Sequence, residues 1–155
     1  MKIAITGHRP GRIAGKEQDI EAWIRRNLAQ MDCTEAYSGM ARGTDQIFAR
    51  VIEELNIPLI CCYPYKRTSF HPVEQEINNK AKDVRFISDE YSKKSFWIRD
   101  KYMVDNCDVL FAVFDGEKVG GTWITVNYAE KIGKPVFYFD WEERSEHKDE
   151  AEALR

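Results

Sequence analysis

The chain lacks any run of about eighteen apolar residues, so it holds no candidate bilayer-spanning helix. Nor is there a CxxC pair among its four cysteines, Cys33, Cys61, Cys62 and Cys107. Cys61 and Cys62 adjoin inside an apolar run whose side chains must point to opposite faces of a strand, so the thiols read as buried and reduced. Three scattered histidines make no HExxH or other metal pattern, and no metal or cofactor is expected. A Walker lysine motif and a Ser-His-Asp order are missing too, which sets aside P-loop ATPase and protease chemistry. GxGxxG is also absent: after Gly7 the next glycines are Gly11 and Gly15, so the dinucleotide fingerprint fails. Positive charge is not in excess, with 23 Lys and Arg against 26 Asp and Glu, a net charge of -3. That balance argues against general nucleic-acid binding, which draws on a surplus of basic residues. Without a repeat or a low-complexity linker nothing divides the 155 residues, and a single domain over 1–140 with a charged tail over 141–155 is expected. The opening MKIAITGHRP runs straight into a strand pattern with no leader, so a cytoplasmic protein is expected.

What is present is a regular alternation of apolar runs and helical stripes. Strands are predicted over 2–6, 35–38, 58–63, 84–88, 108–114 and 136–139. Helices are predicted over 18–31, 44–55, 70–81, 92–106 and 122–132, the last stopped by Gly133 and Pro135. Such alternation implies βαβ units, hence an α/β, Rossmann-like three-layer sandwich with a mostly parallel sheet of about six strands.

In such sheets ligands gather at the carboxyl ends of the strands. Three of these ends carry chemistry. The first delivers Gly7, His8 and Arg9; the second delivers Ser38, Gly39, Arg42, Gly43, Thr44 and Asp45, with Arg42 bracketed by glycines. The third delivers Asp115 and then Gly120, Gly121 and Thr122 at a helix start, with Thr125 one turn along. Unpaired amides at a helix start and the positive end of its dipole favour a phosphate, and arginine adds a charged fork. Against this, Gly7 reads equally as a tight turn, and Asp45 as a partner of the helix dipole. Trp23, Trp97 and Trp123 read as packing residues, and His71 as a capping or surface histidine.

SGMARGTD at 38–45, RDKYMVDNCDVLFAVFDG at 99–116 and GGTWITVNYA at 120–129 together resemble the SLOG superfamily of Rossmann-like proteins, which joins DprA with the Lonely Guy phosphoribohydrolases. Within it, KIAITGHRP and the close of the chain are most similar to the small stand-alone YspA/YpsA-type branch. The resemblance implies a pocket for a nucleotide or nucleotide-derived ligand. The phosphoribohydrolases carry an RKxxM segment and a PGGxGTxxE loop. Arg99 and Met103 match the first, with Asp100 in place of the lysine; Gly120, Gly121 and Thr122 resemble the loop's core, but Thr125 and Tyr128 stand where its glutamate belongs.

Three functions follow as expectations: binding of a nucleotide-type ligand for sensing or sequestration; N-glycosidase action on a nucleoside 5′-monophosphate, with Arg99 and Asp115 (or Asp45) as catalytic residues; and DprA-like nucleic-acid binding. The missing glutamate weakens the second and the acidic balance the third. Aromatic crowding by Tyr91, Phe96, Trp97 and Tyr102, with the resemblance, implies a homodimer or homotetramer.

Overall fold

The apolar runs become strands, buried on both faces in the middle of the sheet and half-exposed at its two edges. In the computed structural model, which describes residues 1–141, they are β1 (Lys2–Gly7), β2 (Glu35–Ser38), β3 (Leu59–Tyr65), β4 (Asp83–Ser88), β5 (Val109–Val113) and β6 (Val136–Tyr138). All pairings are parallel and the order is β4-β3-β2-β1-β5-β6. β1 and β5 lie side by side, in register from Ile3 against Val109 to Gly7 against Val113. Every residue of β5 is buried, as a strand covered on both faces requires. Residues 142–155, nearly all of the charged tail, lie outside the described residues.

Six helices cover the sheet: α1 (Pro10–Ile13), α2 (Glu17–Leu28), α3 (Thr44–Glu54), α4 (Pro72–Lys80), α5 (Ser95–Asn106) and α6 (Gly120–Lys131). Ile20, Trp23 and Ile24 of α2, Phe48, Val51 and Ile52 of α3 and Ile77 of α4 pack on one sheet face. Met103 and Val104 of α5 and Ala129 of α6 pack on the other. Cys61 falls in the first cluster and Cys62 in the second, as strand alternation demands. Phe111, fully buried, meets Trp23 at 5.2 Å and Phe48 at 6.2 Å between ring centroids. Burying such a side chain contributes roughly 1.5–3 kcal/mol.

α1 was not expected. Four residues are too few to show a period, but Pro10 at its first position fixes φ for a helix start. β3 runs two residues past its expected end, through Pro64. Pro64 has no register partner on β4, and β2 has already ended with Ser38 opposite Cys61, so the missing N–H removes no ladder bond. At α4, Pro72 and the bond from the His71 N–H to Glu74 Oε1 (2.9 Å) set the helix start.

The order turns back on itself between β1 and β5. Chain growth β1-β2-β3-β4 proceeds one way with α2, α3 and α4 on one face; the crossover through α5 returns it to the far side of β1. Adjacent loops therefore leave the sheet in opposite directions at the carboxyl ends of β1 and β5, and a crevice opens there.

Candidate functional site

The loop after β1 is stapled to the start of α3. Both the amide and the hydroxyl of Thr44 donate to the His8 carbonyl, at 3.3 and 2.9 Å. The approach is so close that a Cβ on Gly7 would stand 2.4 Å from Thr44 Cγ2, and one on Gly43 (φ +92°) 2.8 Å from the His8 carbonyl oxygen. The other wall comes from α5. Arg99, 5% exposed, donates from Nη1 to the carbonyls of Gly39 (2.6 Å) and Cys62 (3.2 Å) and from Nε to Asp100 Oδ1 (2.7 Å). Its Nη2 takes no partner among the described residues. A Cβ on Gly39 would lie 2.8 Å from the guanidinium carbon.

The glycines of the β2–α3 turn therefore serve close packing. Of the amides of this turn, Met40 N–H bonds Ser38 Oγ, Ala41 N–H bonds Asp45 Oδ2 and Thr44 N–H is held by His8, while those of Arg42 and Gly43 take no partner among the described residues. The start of α6 is different. Its N-cap, Val119, supplies no side-chain bond, and the amides of Gly120, Gly121 and Thr122 take no partner among the described residues. A Cβ on Gly121 would meet nothing within 4 Å.

Between these walls lies a cavity of about 360 Å³ over the carboxyl end of β1, bordered by the start of α6. Of the residues singled out from the sequence, Gly7, His8, Arg9, Asp45, Arg99, Gly121 and Thr122 line it. Gly39 and Arg42 line a neighbouring cavity instead. Ser38, Gly43, Gly120, Thr125 and Asp115 line neither: Ser38 is fully buried against the Asp45 carbonyl, and Thr125 bonds Gly121 O at 2.8 Å and Asp100 Oδ2 at 3.3 Å. Asp115 stands behind His8, bonded by Arg12, which also reaches Glu117 at 3.0 Å. His8 Nε2 accepts the Asp115 N–H at 3.2 Å, and burial lowers the imidazole pKa despite the neighbouring carboxylate.

Sequence reasoning missed Arg12, Phe96 and Asp100 as lining residues. Asp100 was noted only as a departure from the RKxxM segment. The cavity thus holds two carboxyls on either side of Arg99. Burial pushes Asp45 up to about 7 against the pull of Arg99, and raises Asp100 likewise. Arg9 is exposed at the rim, and its guanidinium makes no hydrogen bond or ion pair with any described residue.

Fold and cavity define an all-parallel α/β protein of the doubly wound class, with its cleft at the point where strand order reverses. No family model and no curated protein matches the sequence. Solved structures do. DNA processing protein A (DprA) from Streptococcus pneumoniae superposes with a TM-score of 0.70 at 18% identity, over 97% of this chain and 56% of that one. DprA from Helicobacter pylori, described with a single-stranded DNA binding mode, gives 0.62 at 24% identity, over 89% and 64%. The molybdenum cofactor carrier protein from Chlamydomonas reinhardtii gives 0.60 at 17%, over 88% and 74%. The chain thus shares the Rossmann-like fold of these proteins, and spans 56% and 64% of the two DprA chains. Among the described residues no helix is long and apolar enough to cross a membrane.

Proposed function

We propose that the chain binds a nucleotide or nucleotide-derived ligand, to sense or sequester it, in the cleft between β1 and the start of α6. The observation that carries this reading is the start of α6, where the unpaired amides of Gly121 and Thr122 and the Thr122 hydroxyl border a cavity whose rim holds the unpartnered Arg9 side chain. A phosphate there receives main-chain donors, the helix dipole and an unengaged guanidinium together. Arg12 adds a second charge if the ligand draws it from Asp115 and Glu117. Arg99, held by two carbonyls and Asp100, shapes the wall and presents Nη2.

A thermal-shift series with AMP, ADP-ribose, NAD and cyclic nucleotides tests it. A ligand at a hundredfold its Kd adds about 2.7 kcal/mol, which for a chain of this size raises Tm by about 5–11 °C. Millimolar ligand without any shift rejects the reading.

One observation favours a second reading, N-glycosidase action on a nucleoside 5′-monophosphate. Asp45 is a carboxyl lifted toward neutrality inside the cavity, where it can exchange a proton or face a cationic sugar. Asp45 and Asp100, which line the first cavity, suit that role better than Asp115, which lines neither of the two. Free base released from AMP supports it; none over hours with micromolar protein rejects it. We read nucleic-acid binding as the weakest alternative because the net charge is -3.

A further inference from the structure

The cleft does not end at Arg99. Beyond its guanidinium a second cavity of about 340 Å³ lies over the carboxyl ends of β2 and β3, and Arg9, Ala41, Phe96 and Arg99 line both. One trough therefore runs from the start of α6 past the carboxyl ends of β1, β2 and β3. We propose that it takes a two-ended ligand, two nucleoside or sugar halves joined through phosphates, with one half between β1 and the start of α6, the linking phosphates at Arg9, and the other half received by Arg42 and His71. This rests on the nucleotide-binding reading of the first cavity and extends it to the class of ligand.

The state of the cations along the trough carries the inference. Arg67, in the second cavity, already donates to both oxygens of Glu74, at 2.8 and 2.9 Å, and its guanidinium lies over Tyr63 and Phe70. It is spent on structure. Arg99 likewise has Nε and Nη1 committed. The Arg9 guanidinium, at the shared wall, has no partner among the described residues. Arg42, at the far end, has only a long contact of 3.4 Å from Nη2 to His71 Nε2. A guanidinium nitrogen always donates, so an acceptor set between these groups gains a bond from Arg42 and, from the Nε2–H tautomer, another from His71. A mononucleotide filling the first cavity leaves that pair unserved. Next to it, Tyr65 meets Tyr91 and Phe96 edge-on, at 5.5 and 6.3 Å between centroids, and Tyr91 and Phe96 are exposed. These rings form a lip beside the second cavity on which a flat or sugar ring can rest.

Titration calorimetry of the full chain with AMP and with ADP-ribose decides it. ADP-ribose is expected to bind at least about tenfold more tightly than AMP, the return on one charge-assisted hydrogen bond in the second cavity. Arg42→Ala and Tyr65→Ala, each at an accessible position, should bring the ratio of the two affinities toward one. Thr122→Val should weaken both ligands and keep the ratio. If ADP-ribose binds no better than AMP, or the ratio survives both Arg42→Ala and Tyr65→Ala, the two-ended assignment fails while the first cavity stands. If neither ligand binds, both readings fall.

Discussion

The carboxyl of Asp45 is nearly buried, with one oxygen on the Ala41 amide and the charge of Arg99 near it, and burial still pushes it up to about 7. The folded chain then binds a proton that the unfolded chain has lost, so stability falls as pH rises from about 4 to about 7. His8 acts the other way: burial lowers its pKa, the unfolded chain holds the extra proton, and stability falls as pH drops below about 6.5. Asp45→Asn keeps the shape and an acceptor for Ala41 but cannot ionise. Relative to the parent, it should gain stability between pH 5 and pH 8, by up to about 4 kcal/mol in urea unfolding. A difference that stays constant with pH contradicts the burial argument. If the glycosidase reading holds, the same variant also loses base release. At this scale the sequence was a partial guide. Gly7, His8, Arg9, Asp45, Gly121 and Thr122 reach one cavity because they follow strand ends, and Arg99 joins them from α5. Asp100 escaped notice because residues i and i+1 of a helix do not share a face; it reaches the site through the Arg99 guanidinium, which turns back to its carboxylate.

Helix α6 is the element on which binding depends, and α3 shows why glycine alone does not locate such an element. Both follow glycine-rich turns. At α3, however, Gly43 is demanded by positive φ and the His8 carbonyl, Gly39 by the Arg99 guanidinium, and the Met40 and Ala41 amides are used within the turn. No sequence pattern reports such packing, because the contacts come from β1 and α5. At α6 the space beside Gly121 is open. Gly121→Ala therefore leaves the fold intact and restricts the unfolded chain, so stability should hold or rise by about 0.4–1 kcal/mol. The added methyl stands on the cavity wall, and affinity for AMP should fall about tenfold or more, since each 1.4 kcal/mol lost at the phosphate is tenfold. Chemical unfolding and calorimetry on one preparation check both halves; undiminished affinity in a stable variant argues that the phosphate is not held at α6. Strands and long helices were legible to within a few residues because their periods are set by burial on a sheet. α1 was not, because its identity lies in Pro10 and in the docking of Arg12 on Asp115.

For the whole molecule, the all-parallel order β4-β3-β2-β1-β5-β6 brings distant residues to one rim: the loops after β1, β2, β3 and β5 all open on the same edge. The chain as a whole is acidic, yet Arg9, Arg12, Arg42, Arg67 and Arg99 gather along this rim. Local sign can oppose net charge, and it is the local field that a small anion meets. Alternation of strands and helices made the fold class readable, whereas the second cavity, built between β3 and the start of α4, depends on where Arg67, His71 and Tyr65 turn. The most direct measurement of the central claim is a crystal structure of the chain soaked with AMP. The phosphate is expected within hydrogen-bond distance of the Gly121 and Thr122 amides, with Arg9 drawn onto it. AMP density away from the α6 start, or a cleft without ligand at millimolar AMP, contradicts the account.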